Sequence, residues 1–165
     1  MLLDVINLHT HFKVGFDQTA KAVNGVSFNL ASGQTLALVG ESGCGKTQTA
    51  FSLIRLIAEN GFHPSGEIFF DGKNLSLLSE AEMQSLRGND IAMVFQEPMT
   101  SLNPLYRIGN QLEEPLRQHR KIGQGSARKR AIELLDHVGI PDPHKRVDSF
   151  PHELSGGMKQ RVMIA

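Results

Sequence analysis

Cysteine is nearly missing from this chain of 165 residues: Cys44 stands alone, so no intrachain disulfide can form and nothing asks for an oxidising compartment. An excess of one charge is missing too, since 17 Lys and Arg balance 17 Asp and Glu. A protein that coats a polyanion needs a net positive surface, and this composition does not supply one. No run of 18 apolar residues occurs, and the opening Met1-Leu2-Leu3-Asp4 lacks the basic segment and apolar stretch of a secretory leader. There is no internal repeat and no low-complexity stretch longer than Gly123-Gln124-Gly125-Ser126. These absences lead to the expectation of a soluble, cytosolic chain. What remains is ordinary globular composition, 40% apolar and 21% charged, at a length suited to one domain with a real core.

Periodicity places strands at 5–12 and 20–30, which read together as an antiparallel hairpin. Residues 35–39 (Thr-Leu-Ala-Leu-Val) are almost all apolar, the pattern of a strand buried on both faces of a parallel sheet. A helix is expected over 46–60 with Gly61 as its stop, a strand over 67–70 closed by Asp71-Gly72, and a strand over 91–95. Ser79-Glu80-Ala81-Glu82 has the form of a capping box opening a short helix that stops near Gly88. Further helices are expected over 105–120 and 126–138, the latter ended by Gly139 with Pro141 just beyond, and 160–165 is helix-compatible. Strands alternating with helices give an α/β class with an antiparallel β patch at the N-terminus.

One segment carries chemistry. Gly40-Glu41-Ser42-Gly43-Cys44-Gly45-Lys46-Thr47 fits G-x-x-x-x-G-K-[ST], with an apolar run before it and a helical pattern after. Glycines let the backbone curl so that successive N–H groups point inward, and the helix start adds partial positive charge. In such a loop Lys46 reaches the β- and γ-phosphates and the Thr47 hydroxyl ligates Mg²⁺. Cys44 fills a free position of the motif and reads as a small residue tolerated there rather than as a redox thiol. The motif specifies a nucleoside triphosphate, not a reaction.

A second segment, Leu154-Ser155-Gly156-Gly157-Met158-Lys159-Gln160, places a capping Ser and two side-chain-free glycines at a helix start, where a phosphate can approach. A phosphate loop and a distant anion-binding helix start suggest two halves of a site, which need not belong to one molecule.

With these motifs the sequence resembles the ATP-binding subunits of ABC transporters. Residues 154–160 match that family's signature, 40–47 its phosphate loop, and Phe95-Gln96-Glu97-Pro98 stands between them where the family has its Q-loop. The stretch from Phe95 through Met99-Thr100-Ser101-Leu102-Asn103-Pro104 looks like that of the dipeptide, oligopeptide and nickel importer group, as do Val39-Gly40-Glu41-Ser42-Gly43 and the final residues 151–165. The resemblance covers essentially the whole chain. It implies a P-loop NTPase of the ABC nucleotide-binding type, with an N-terminal β patch and a helical subdomain, incomplete at its C-terminus. Residues 1–95 would be the β patch and P-loop core, 96–153 the Q-loop and helical subdomain, and 154–165 the start of the signature helix.

The resemblance also implies roles. ATP and Mg²⁺ are held by Gly40, Glu41, Ser42, Gly43, Cys44, Gly45, Lys46, Thr47 and Thr49; an aromatic ring near the first hairpin stacks on adenine, either Phe12 or Phe16, with Phe12 preferred. Gln96 would ligate Mg²⁺ beside Thr47, position the attacking water and sense the membrane subunit, so Gln96 and Lys46 form the catalytic set. Ser155, Gly156, Gly157 and Gln160 would contact the γ-phosphate of ATP on an opposing subunit, which makes the working unit a head-to-tail dimer on membrane-spanning permease subunits. The expected location is the cytoplasmic face of the cell membrane, peripherally bound. The basic run 117–130 reads as a solvated helical face, not a nucleic-acid site, and His9 and His11 lack a third metal ligand. His152, just before the signature, tunes its loop and no more.

One departure from the family stands out. Its Walker B strand ending in Asp-Glu, its dimer loop and its switch His all follow the signature helix, and the sequence reaches Ala165 before them. The only adjacent Glu pair, Glu113-Glu114, lies in a helical pattern before Pro115. The expectation is therefore an ATPase by family whose 165 residues do not turn over alone. The rival readings are a non-catalytic nucleotide-binding remnant and an ABC ATPase acting outside transport.

Overall fold

The structure, a computed structural model, describes residues 1–95 and 101–165. It divides into two compact units, Met1–Arg87 and Gly88–Ala165.

The first unit is organised around β1 (Leu3–Lys13), which pairs antiparallel with β2 (Thr19–Leu30) on one edge. On its other edge β1 pairs with the two-residue β3 (Gly61–Phe62) and with β4 (Glu67–Phe70). The turn Asp71-Gly72, with φ of 46° and 76°, leads into β5 (Lys73–Asn74); two positive φ values in a two-residue connection match the twist of the flanking strands. Val5 sits between Phe28 and Ile68, and Val5, Leu8, Ile68, Leu75 and Met83 are the buried apolar centre. The β1–β2 ladder is irregular between Val5 and His9, where Asn7 takes φ 47°. At that irregularity Gly66 approaches so closely that a Cβ there would lie 2.5 Å from the Asn7 carbonyl oxygen, so only glycine fits.

Helix α1 (Lys46–Leu53) docks on this sheet through polar groups: the buried Thr10 and Ser52 hydroxyls lie 2.7 Å apart, and Thr49 and Ser52 are its buried residues. It is shorter than the periodicity suggests. Arg55 turns the chain at φ 53° and donates to the carbonyls of Leu75 and Leu78 at 3.1 and 2.6 Å, and Gly61 becomes a strand residue instead of a helix stop.

Two expected strands are not formed. Residues 34–41 carry no regular structure, with Leu36, Leu38 and Val39 exposed at 43%, 42% and 92%. Residues 92–95 are likewise irregular, with Val94 and Phe95 exposed. A strand buried on both faces exists only between neighbours, and among the described residues no strand pairs with 35–39. The sheet described here is accordingly all antiparallel.

The second unit is helical: α3 (Ile108–Arg120), α4 (Gln124–His137), α5 (Pro143–Arg146) and α6 (Gly156–Ile164), with a 3₁₀ turn at Pro151–Glu153. Ile108, Ala131, Leu135, Ile140, Val147, Leu154 and Val162 form its core. Gly109 lets α3 touch the 147 segment, its N–H donating to the Val147 carbonyl at 2.7 Å. Gly139, at φ 70°, ends α4 as expected, and the Arg161 guanidinium donates to its carbonyl. No helix among the described residues is long and apolar enough to cross a membrane.

Helix α2 (Glu80–Leu86) carries the capping box read from the sequence: Ser79 Oγ accepts from Glu82 N–H, and Glu82 accepts from Ser79 N–H at 2.8 Å. Hydrogen bonds from Ser79 hold the Glu82 carboxyl below the usual carboxylate range, and the Arg87 bond does the same for Glu80. Depressed folded-state values stabilise the fold above the ordinary carboxylate range, and that contribution is lost as pH falls through the lowered values. Amide exchange in α2 should therefore accelerate on acidification through that window, and Glu82→Gln should flatten the response; an α2 that exchanges independently of this pH window in the wild type contradicts the account.

Candidate functional site

The phosphate loop lies in the first unit. Gly43 and Gly45 adopt φ of 83° and 94°, and a Cβ on Gly45 would lie 2.2 Å from the Ala22 carbonyl oxygen, so the curl requires glycine at that position. Gly45 is also the N-cap of α1 and offers no side-chain cap, and the first turn holds no acid. The leading N–H groups and the helix dipole are left for an anion. Lys46 folds across this concavity: its ammonium donates to the carbonyls of Gly40 and Glu41, each at 2.7 Å, and lies 3.5 Å from Cys44 Sγ. The thiol is exposed and packs over Gly40, where a Cβ would come within 2.5 Å of it.

Thr47 is exposed at the start of α1, whereas Thr49 is buried and its hydroxyl donates to the Gly45 carbonyl at 3.0 Å. Thr49 thus braces the last loop residue from beneath. Phe12 is half-buried, held in the β1 ladder opposite both Ala20 and Gly61, while Phe16 is fully exposed in the connection to β2. Gln96 lies outside the described residues.

The Ser155 segment belongs to the second unit. Ser155 is the N-cap of α6, its Oγ accepting from Met158 N–H at 3.3 Å. The first turn carries no acid; Gly156 and Gly157 face open space, and Gln160 is exposed one turn on. Burial of Leu154 and Val162 in the helical core anchors both sides of this turn.

Sequence reasoning missed what holds the segment just before it. The Arg107 guanidinium lies 5.2 Å over the Phe150 ring and donates to the Asp148 carbonyl at 2.8 Å, and His152 stacks on Phe150 at 5.6 Å. Glu153 closes the turn by accepting from Phe150 N–H at 2.6 Å. Arg128 adds ion pairs to Asp148 at 2.7 Å and to the buried Glu113 at 3.6 Å. The Arg107–Asp148 and Arg128–Asp148 partners are 41 and 20 residues apart, and no local period signals such contacts. Elsewhere, the rings of His9 and His11 lie 5.9 Å apart, with His9 Nε2 3.2 Å from Asn7 Oδ1. No group of three His, Cys, Asp or Glu that could hold a metal ion occurs among the described residues.

The family model described as ABC transporter matches residues 23–165. The oligopeptide transport ATP-binding protein OppD of Bacillus subtilis is 53% identical over 99% of this chain and 46% of its own length. The dipeptide transport ATP-binding protein DppD of Lactococcus lactis is 50% identical over 99% of this chain and 47% of its own. Among solved structures, the ATP-binding cassette MJ0796 in a dimeric post-hydrolysis state bound to ADP and Pi superposes with a TM-score of 0.81 at 26% identity, covering 98% of this chain and 67% of that one. The chain spans about half the length of these two transport relatives.

The cap of α6 can be tested by itself. Ser155→Ala should cost about 1 kcal/mol and speed amide exchange at Met158, while Ser155→Asp, which keeps an acceptor, should retain protection. Equal exchange in all three proteins removes the cap from the account.

Proposed function

The chain belongs to the ABC transporter family, and on that premise we propose that it is the ATP-binding, energy-coupling portion of an importer for peptides or similar small solutes. The observation that carries the reading is the Lys46 ammonium held on the Gly40 and Glu41 carbonyls inside a glycine curl that opens α1. Those carbonyls keep the cation in the concavity, and phosphate oxygens are stronger partners that can replace them. The donor set fits ATP: α1 opens on a glycine N-cap with no side-chain cap, and no carboxylate stands in its first turn. The names of relatives at 50% and 53% identity support the solute class.

In this reading Thr47 and Gln96 hold Mg²⁺, which neutralises charge building on the transferring phosphoryl group. Lys46 binds the β- and γ-phosphates, Thr49 braces Gly45, and Phe12 stacks on adenine. Phe12 is chosen because the ladder on both sides fixes its backbone, so little ordering is lost on binding. Ser155, Gly156, Gly157 and Gln160 serve the nucleotide of a second copy or a related subunit; the dimeric state of the MJ0796 cassette supports a head-to-tail pair. The chain sits peripherally on the cytoplasmic face of the membrane, where membrane-spanning permease subunits complete the assembly and 96–153 is the helical subdomain that meets them.

Residues 1–165 alone bind nucleotide without turning it over. Glu113, the member of the Glu pair that could have mimicked a catalytic carboxylate, is buried and paired with Arg128. Hydrolysis needs a base or water-orienting carboxylate, a contribution of roughly 10²–10⁴-fold.

Calorimetry with ATP and Mg²⁺ tests the reading. Lys46→Ala should weaken binding at least about tenfold, roughly 1.4 kcal/mol. Equal affinity in both proteins sinks the loop assignment. Phe12→Ala should cost about 1–3 kcal/mol of stacking and Phe16→Ala nothing; the reverse order transfers the adenine platform to Phe16. Phosphate release by the 165-residue chain should equal that of Lys46→Ala, and a Lys46-dependent turnover shows that the catalytic carboxylate is present within these residues.

A further inference from the structure

Charge in this neutral chain is sharply segregated. Residues 117–130 hold six Lys and Arg and no Asp or Glu, which leaves 11 Lys and Arg against 17 Asp and Glu in the rest. The run occupies the end of α3 and the first half of α4, two helices that pack on each other and are joined by residues 121–123, of which Lys121 and Gly123 are exposed. Two of the six cations are spent internally, Arg128 on Glu113 and Asp148 and Arg130 on Glu133. The other four, Arg117, Arg120, Lys121 and Lys129, are exposed and have no ion pair among the described residues.

Arg117 and Arg120 stand at i and i+3 on one helix face and repel each other, and Lys121 adds a third cation as the C-cap directly after them. The α3 dipole partly repays three charges at a helix C-terminus, but Lys129 sits in the N-terminal half of α4, whose first turn has no acid to offset it. Stability does not account for this arrangement.

The neighbourhood selects among anionic partners. Between Tyr106 and Phe150 the chain has no Phe, Tyr or Trp, and His119 is the one ring within the basic run, so bases find no row of rings to stack on. No large apolar side chain is exposed between Tyr106 and Ile164, so a protein partner finds no anchor for the dry centre of an interface. An anionic bilayer needs neither, because a cluster of four to eight cations is attracted by surface potential alone.

We propose that the α3–α4 turn is a contact surface for anionic phospholipid headgroups, held by Arg117, Arg120, Lys121 and Lys129. The contact goes beyond the importer reading and does not depend on nucleotide.

Flotation with vesicles of phosphatidylcholine, with and without phosphatidylglycerol, tests it on the 165-residue chain. Wild type should float only with the anionic vesicles, and added salt should release it. Replacing all four cations by Gln should lower partition roughly 600-fold, each contributing roughly fivefold. An equal-charge control, Lys13→Gln, Lys21→Gln, Lys73→Gln and Lys145→Gln together, should still float, as should Lys46→Ala. If the quadruple variant loses its helical circular dichroism, the pair Lys121→Gln and Lys129→Gln provides the smaller step. Failure of wild type to float, equal loss in the control, or a quadruple variant that still floats while it loses a single-stranded oligonucleotide or acidic peptide that wild type binds would each overturn the proposal.

Discussion

Double-edged pairing of β1 is the constraint on which the first unit rests. One edge is satisfied by β2 and the other by β3 and β4, so β1 has no free ladder and its two faces are set by its neighbours. From that fixed strand Thr10 reaches the Ser52 hydroxyl and holds α1, and α1 in turn presents the phosphate loop at its N-terminus. Phe12 belongs to the same strand. Loop and ring are therefore placed by one element, and a shift of β1 register would turn its buried residues to the opposite face.

Local chemistry made part of this legible in the sequence. The hairpin, the strand at 67–70, the Asp71-Gly72 turn, the Ser79 capping box and the Gly139 stop depend on residues a few positions apart, and each appears where the pattern put it. The strand expectations at 35–39 and 91–95 depended on partners that no local pattern supplies. Arg55 ended α1 by bonding carbonyls 20 and 23 residues away, which helical periodicity could not report.

The candidate site divides in the same way. The loop motif names its glycines and Lys46 because each is required by backbone curvature or by charge, and Gly43 and Gly45 take the positive φ that such a curl needs. The motif does not report that the Thr49 hydroxyl donates to the Gly45 carbonyl and supports the loop from within. The clamp of Arg107, Phe150 and His152 ahead of the α6 cap leaves no local signal, since a cation over a ring is a tertiary contact between the N-cap of α3 and a distant turn. The Gln96 assignment rests on the sequence alone.

The packing of Cys44 over Gly40 makes the first and fifth positions of the loop a fitted pair. The thiol occupies the volume a Cβ at position 40 would need, so the two sites share one steric allowance. A library randomised at both positions should recover correlated combinations rather than independent preferences: a side chain at 40 survives where 44 has lost its γ atom, as in alanine or glycine. The tolerance of residue 44 is therefore borrowed from residue 40.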